Sequence, residues 1–211
     1  MRFLLTHSLL MGLLFLLCPP MTRAGTDSGL CGLPSGIGAR WTYTCADSTG
    51  RIIDTLRIVT VGGSVASDSI STDIWELGYS RPTTRPFPVD TDTVFAGRDG
   101  SRLLLQGQNQ CCAFLELGWP PLIGAGELPG DTTRIDSVWV ASIEEVTVPA
   151  GTFTECAQVS IRERLGDRRE LFRLWISPQS GIVRMERAPV GAGGVVRAWQ
   201  LIDTYRPAKT D

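Results

Sequence analysis

The alternation of apolar and polar residues is most regular in the last third of the chain, residues 145–205. Four runs rich in Val, Ile, Phe, Trp and Thr are separated there by short clusters of Gly, Pro, Asp and Ser, which is typical of consecutive antiparallel strands. In the first run Ala157, Val159 and Ile161 alternate with polar residues, so one face of the strand is apolar and the other is solvated. The pattern therefore predicts an antiparallel meander.

The last run, residues 195–205, carries large apolar side chains on both faces. Trp199 and Leu201 share one face, and Ala198 and Ile202 share the other. A strand that is apolar on both sides is expected to be central in its sheet or to be covered. A second layer, a ligand or a partner would each satisfy this pattern.

The first two thirds of the chain repeat the same theme of short strands and turns. Three prolines within residues 81–88 indicate an ordered loop or an edge, Gly62-Gly63 is expected to end a strand, and Asp99-Gly100 is a two-residue hairpin signal. No segment shows a helical period of 3.6 residues over a useful length. About ten strands and little helix predict an all-β fold, an antiparallel meander that forms either a strongly curved sheet (half-barrel) or a sandwich. The predicted strands upstream of the meander lie at residues 41–45, 51–61, 70–79, 91–96, 102–106, 111–117 and 135–148.

The amino terminus has the features of a secretory signal peptide over residues 1–24. A basic start is followed by a short apolar run at 9–17 and by the small-residue site Thr22-Arg23-Ala24, and the run is too short to span a bilayer. A lipoprotein interpretation around Cys18 is weaker, because Leu17 stands where a small residue is expected.

We therefore expect an exported protein, located in the periplasm, at the cell surface or in the medium, with no transmembrane segment after cleavage. Its organisation is an extended segment at 25–37, a single β domain at 38–205 and a polar tail at 206–211.

Charge narrows the choice of partners. The whole chain has 20 basic and 22 acidic residues, and loss of Arg2 and Arg23 with the leader leaves a net charge of about −4. This balance argues against a nucleic-acid partner, which would call for a basic protein.

The residue types present exclude several kinds of catalysis. The only histidine, His7, lies in the signal peptide, which excludes triad hydrolases and histidine-ligated metal sites in the mature chain. There is no glycine-rich nucleotide motif, so we expect no cofactor, no metal and no catalytic residue. Paired carboxylates remain: Glu144-Glu145 face opposite ways on a strand, and Asp90 and Asp92 lack the other oxygen ligands of a calcium loop. A solvated role is favoured for both pairs.

Five cysteines remain after cleavage, and export favours disulfides. Cys31 with Cys45 is the preferred pair because both flank the first strand, and Cys156 with Cys111 or Cys112 is the second. The odd count leaves at least one thiol free or paired between chains. A redox role for Cys111-Cys112 is less favoured than structural bridging, since no cationic setting for a thiolate is evident.

Arginines interleaved with acids crowd the meander. The arginines would form either a patch for an anionic partner, such as a lipid headgroup or a polysaccharide, or the solvent-exposed face of a sheet with cross-strand ion pairs. The interleaved acids favour the second interpretation. The arginines are Arg162, Arg164, Arg168, Arg169, Arg173, Arg184 and Arg187.

The apolar loop at residues 119–123, Trp-Pro-Pro-Leu-Ile, also has two interpretations of equal weight. It is either an exposed binding lip or a plug that folds over the sheet. As a lip it makes Trp119, Leu122 and Ile123 candidate ligand-binding residues, and we add Trp199 from the last strand.

Several short motifs resemble those of a group of uncharacterised exported bacterial all-β domains. The segment GARWTY at 38–43 resembles their G-x-x-W-x-Y opening strand, VPAGTF at 148–153 their V-P-A-G-T-F turn, and GIV at 181–183 their G-x-V strand. That group is similar to the lipoprotein-carrier-like half-barrels, in which a curved antiparallel sheet wraps an apolar ligand or a helix. The resemblance implies this fold and a cell-envelope setting but no catalytic residue. The present sequence has no evident helix for the concave face.

Three functions follow as hypotheses. The first is a non-enzymatic exported domain that binds a lipid or other apolar or amphipathic ligand, or an envelope protein, on the concave face of its sheet. The second is a structural or adhesive envelope module whose interior is filled by its own side chains. The third and least favoured is a carboxylate-based hydrolase.

Overall fold

The structure is a computed structural model that describes residues 33, 36–65, 71–81, 85–88, 92–99, 102–108, 114–124, 135–165, 167–191 and 197–208. The predicted signal peptide, Cys31, Cys111 and Cys112 lie outside these residues. The described part of the chain contains strands and turns but no helix, and accordingly none that would cross a membrane. The strands are β1 (Arg40–Ala46), β2 (Ile52–Val65), β3 (Ser71–Tyr79), β4 (Thr93–Asp99), β5 (Arg102–Gly107), β6 (Leu115–Gly118), β7 (Ile135–Val148), β8 (Gly151–Leu165), β9 (Arg168–Ser177), β10 (Gly181–Pro189) and β11 (Arg197–Tyr205).

All eleven strands form one antiparallel sheet in the order β6-β5-β4-β3-β2-β1-β11-β10-β9-β8-β7. Strands that are consecutive in the sequence are paired, except β6 and β7. The first strand, β1, also pairs with the last, β11, for example at Tyr43 and Leu201. The sheet curves into a nearly closed, barrel-like shape. The predicted all-β, strongly curved antiparallel meander is confirmed, and the sandwich alternative is not formed.

The last strand lies at the middle of the sheet, between β1 and β10, as its apolar pattern predicted. Its inner face is in the core, whereas Ala198 is half-buried and Ile202 is 37% exposed on the outer face. Of the two expectations for a strand with apolar residues on both faces, the central position in the sheet is the one observed.

The short strand β6 and the long strand β7 are the two edges of the sheet. The segment after β6 reaches across to β7, where the Gly124 backbone N–H donates to the Val140 carbonyl oxygen over 2.8 Å. We call this contact region the seam. It brings the two edges together without a ladder of strand pairs.

The end of the barrel that carries the β7–β8 turn is closed by contacts across strands. The Ala150 N–H, within the Val148–Phe153 turn, donates to the Leu201 carbonyl over 3.0 Å. Two side chains of β1 bridge to β10, the Tyr43 hydroxyl to the Ile182 carbonyl at 2.8 Å and the Trp41 indole N–H to the Ser180 carbonyl at 2.9 Å. These bonds satisfy backbone carbonyls at places where no neighbouring strand does.

The interior is filled by the protein's own side chains. Trp41, Trp75 and Trp199 are fully buried, and two loops add Phe87 and Phe114, whose ring centroids lie 5.6 Å apart. These two loop phenylalanines, which we call the loop plug, are buried in the core. The proline-rich segment at 85–88 is thus an ordered loop, as predicted, and it points inward.

One predicted boundary was wrong. Strand β2 does not end at Gly62-Gly63 but continues to Val65 and pairs with β3 through a register shift between Thr60 and Gly62. A Cβ at Gly63 would lie 3.3 Å from the Thr72 carbonyl oxygen, so glycine here permits a close approach of two strands. By contrast, β7 has the bounds predicted from its pattern, and the hairpin β4–β5 pairs Asp99 with Arg102 as expected.

Candidate functional site

The inner face of the sheet changes from apolar to charged at one end of the barrel. On β8 the inward residues run Ala157, Val159, Ile161 and then Glu163, and on the facing strand Phe172 is followed by Glu170. Residues directly opposite in an antiparallel pair share a face, so register identifies the other inward charges near this end of the sheet. They stand at successive levels of the inner face: Glu163 and Glu170 at the first, Arg187 and Arg197 at the next, and Asp54 one level deeper. We call this end of the barrel the charged mouth.

Arg187 is the central connection of the charged mouth. Its Nε and Nη2 atoms contact Glu170 Oε2 on β9, and its Nη1 donates to the Arg85 carbonyl at 3.4 Å. The guanidinium carbon lies 5.0 Å from the centroid of the Phe172 ring. One side chain thus links β10, β9 and the loop that carries Phe87, because a guanidinium offers several donors in a fixed plane.

A cavity of about 650 Å³ opens at the charged mouth, a volume within the range of sites for small molecules. One part of its wall is apolar, formed by Ala188, Pro189 and Val190 at the end of β10. The rest is charged, formed by Asp167, Arg168, Arg169, Glu170, Arg187 and Arg197. The wall therefore combines an apolar surface with a surplus of guanidinium groups over carboxylates.

Asp54 on β2 lies on the same inner face one level deeper than Arg197, opposite Cys45. Its Oδ1 accepts from the Thr55 N–H at 2.7 Å, from the Arg81 N–H at 3.0 Å and from the Ser80 hydroxyl. Its Oδ2 is buried and has no hydrogen-bond partner. Asp54 thus anchors the exit of β3 to β2 and does not form part of the cavity wall.

The two described cysteines are free and buried, although both were expected to form disulfides. Burial raises the pKa of Cys45 to about 12, and Asp54 adds to the rise while Arg197 opposes it. Burial and then Glu144 raise the pKa of Cys156 to about 11. Both thiols are buried, and within the described residues neither is bonded to a second sulfur. Their expected partners Cys31, Cys111 and Cys112 lie outside the described residues.

Most arginines of the meander take part in ion pairs on or beside the sheet. Arg173 and Arg184 both contact Glu186, and Arg164 and Arg169 lie 3.9 and 3.7 Å from Asp136. With the Arg187–Glu170 pair, this confirms cross-strand ion pairing for four of the seven arginines, whereas Arg184 pairs with Glu186 on its own strand. Arg162 lies over the Trp139 ring instead, and Arg168 has no ion-pair partner among the residues that the structure describes.

The structure divides the four predicted ligand-binding residues between two environments. Trp199 is fully buried in the core, where register places it beside Cys45 and Met185, and Trp119 is half-buried against that core. Leu122 and Ile123 are 70% and 67% exposed at the seam. The loop is therefore part plug and part lip, and its contact with a ligand stays a prediction.

The paired carboxylates take structural contacts. Glu144 accepts from the Trp175 indole N–H at 2.5 Å, and Asp92 lies 3.5 Å from Arg85, while Asp90 is outside the described residues. Across the described ranges no three His, Cys, Asp or Glu side chains group as metal ligands would.

The cavity was not predicted from the sequence, although three arginines of its wall, Arg168, Arg169 and Arg187, belong to the arginine-rich meander. Its signal was readable in part, because the inward rows on β8, β9 and β10 change from apolar to charged near one end, at Glu163, Glu170 and Arg187. Only the strand order shows which strand ends lie together and that Arg197 lies beside them.

Comparison with known proteins adds fold and no more. No protein-family profile matches the chain, and no curated protein matches it. Among solved structures it is similar to a candidate exported protein with a YmcC-like fold from Bacteroides fragilis, at a TM-score of 0.56 and 12% identity over 84% of this chain and 100% of that one. It is also similar to a candidate lipoprotein from Parabacteroides distasonis, at a TM-score of 0.60 and 15% identity over 83% of this chain and 99% of that one.

Proposed function

We propose that this protein is an exported, non-enzymatic β-domain that holds an amphipathic ligand at its charged mouth, on the concave side of the sheet. The cavity of about 650 Å³ carries the proposal, because its wall is apolar along Ala188, Pro189 and Val190 and charged elsewhere. Export is supported by the predicted signal peptide and by the descriptions of the two structural neighbours.

The chemistry of the described side chains supports binding over catalysis. The only histidine lies in the leader, and burial holds the pKa of Cys45 and Cys156 far above neutral pH, where the thiol and not the nucleophilic thiolate is present. Glu170 and Glu186 are each engaged by arginine. A carboxylate-based hydrolase therefore has the least support.

A test of this proposal is native mass spectrometry of the protein purified from its own cell envelope. We expect a co-purifying small molecule that is lost from Val190→Trp, since an indole on the cavity wall would occupy the space. Ile202→Trp, on the exposed outer face of β11, is the matched control and should retain the molecule. A mass increase equal in both variants would reject this location, and a protein-sized adduct would identify an envelope protein as the occupant.

The second candidate is a structural or adhesive module that holds nothing. The interior filled by Trp41, Trp75, Trp199 and the loop plug favours it. Recovery of the bare chain mass from the native envelope, under conditions that preserve a known lipid–protein complex, would support this candidate instead.

A further inference from the structure

We infer that Arg187 is the specificity-determining residue of the proposed site, because it forms the floor of the cavity and stops the apolar part of the ligand there. The ligand is therefore an amphiphile with a short apolar chain rather than a long-chain lipid. This inference rests on the proposed function and specifies the size class of the ligand for the same cavity.

Arg187 lies between the cavity and the hydrophobic core. Its side chain lines the cavity, and its guanidinium carbon lies 5.0 Å from the centroid of the Phe172 ring. Phe172 is fully buried and does not line the cavity. An apolar chain that continued from the cavity toward Phe172 would have to displace the guanidinium group.

The guanidinium group is held in place through all three of its nitrogen atoms. Nε and Nη2 contact Glu170 Oε2, and Nη1 donates to the Arg85 carbonyl oxygen over 3.4 Å. The side chains of Arg187 and Glu170 are only 24% and 22% exposed, so this ion pair is partly shielded from water and stronger than one at the surface. A ligand that displaced Arg187 would lose these contacts, and the floor is therefore a barrier.

The bond to Arg85 crosses the mouth of the barrel. Arg187 lies on β10 and Arg85 in the loop that follows β3, and the strands β2, β1 and β11 stand between them in the sheet. The same loop carries Phe87, which packs against Phe114 in the loop plug. Arg187 is thus tied to the loop plug, and the core behind both is filled by buried side chains.

The apolar part of the cavity wall is short. Ala188, Pro189 and Val190 are consecutive and span roughly 7 Å of extended chain, whereas the other lining residues are charged. Each methylene group that leaves water adds about fourfold to the affinity. A chain longer than this wall gains little, since the floor at Arg187 keeps its remaining methylene groups in water.

The test is calorimetric titration of the purified protein with alkyl chains of eight and twelve carbons, each as a glucoside and as a phosphate, below their micellar concentrations. The ratio of the twelve-carbon to the eight-carbon affinity is compared within each head group, so that the contribution of the head cancels. We expect a ratio within about threefold for the parent protein, whereas complete burial of the additional methylene groups gives a ratio of about a hundredfold or more.

Variants locate the floor. Arg187→Ala removes it and uncovers the Phe172 ring, so the ratio should rise about tenfold or more. Arg187→Lys keeps a long cationic side chain beside Glu170 and should stay near the parent ratio. Arg168→Ala, at an exposed arginine of the same wall, is the matched control and should leave the ratio unchanged.

A second variant keeps the test available if Arg187→Ala does not fold. Loss of the arginine leaves Glu170 without its ion-pair partner, and an unpaired, partly buried carboxylate is destabilising. The double variant Arg187→Ala/Glu170→Gln avoids this charge and should show the same rise in the ratio.

The outcomes separate this inference from the proposed function. A twelve-carbon probe bound to the parent about a hundredfold more tightly than the eight-carbon probe would overturn the inference and leave the proposed function standing. A ratio that stays at the parent value in the folded double variant would overturn it equally. If neither chain length binds with either head group, the inference fails, and recovery of the bare chain mass from the native envelope then rejects the proposed function as well.

Discussion

At the scale of single residues, stability depends on polar groups that are buried and satisfied. The Tyr43 hydroxyl is buried and donates to the Ile182 carbonyl across the interior, in a region beyond the register pairs of β10 with β11. Loss of such a donor leaves a buried carbonyl unsatisfied, which costs more than an exposed hydrogen bond does.

We therefore expect Tyr43→Phe to lower the free energy of unfolding by about 1–3 kcal/mol. The measurement is urea denaturation followed by tryptophan fluorescence. Tyr205→Phe, at a side chain that is half exposed, is the matched control and should change the midpoint little. Equal midpoints for the two variants would mean that the Tyr43 bond is not made in solution.

The buried thiols make a prediction about alkaline stability. Burial raises the pKa of Cys45 from 9.0 to about 12 and that of Cys156 to about 11. The unfolded chain therefore loses these protons first as the pH rises. The thiols do not reduce stability below about pH 9, and the free energy of unfolding falls progressively above it.

Urea denaturation at intervals from pH 7.5 to 10.5 should show this fall, by at most about 2 kcal/mol per thiol at the upper end. Burial also raises the pKa of Tyr43 and Tyr79, so Cys45→Val should make the fall smaller without removing it. A parent protein that is as stable at pH 10.5 as at pH 8, or a variant with an unchanged slope, would contradict this account.

At the scale of elements, two loops contribute to the core. Phe87 comes from a proline-rich loop, and the Arg85 carbonyl of the same loop accepts from Arg187. Pro86, Phe87 and Pro88 are all buried, and Phe87 contacts the ring of Phe114. The loop plug is therefore part of the hydrophobic core.

Phe87→Ala should consequently destabilise the protein by about 3–5 kcal/mol, the cost of a large buried aromatic truncation. Leu122→Ala, in the exposed part of the seam loop, should change stability by less than about 0.5 kcal/mol. Thermal unfolding of both variants checks this. Similar losses in the two would show that the seam loop is as much a part of the core as the loop plug.

The elements also show what the sequence made predictable. Strand β7 was predicted with its observed bounds because its alternation is long and ends at Pro149. The end predicted at Gly62-Gly63 was wrong, because a glycine that weakens an isolated strand is accommodated here by a register shift and a close neighbour. The loop plug could not be predicted, since alternation reports the face of a strand and not where a loop inserts.

At the scale of the whole molecule, the sheet has one filled interior and one charged end. Most of the concave face that we expected to hold a ligand is occupied by the protein's own tryptophans and phenylalanines. The cavity lies at the mouth, where the inward rows end in Glu170, Arg187 and Arg197. The site that we propose therefore lies at the ends of β9, β10 and β11, which only the strand order brings together, and ligand contact of the Trp119 loop stays a prediction.

Hydrogen–deuterium exchange with and without an eight-carbon amphipathic probe, tested both as octyl phosphate and as octyl glucoside, examines the location of this site most directly. We predict added protection in peptides that cover residues 167–170 and 187–190, and none in the peptide that covers 115–124. Protection confined to the peptide with Leu122 and Ile123, or none anywhere at a saturating concentration, would contradict the central claim that the charged mouth holds the ligand.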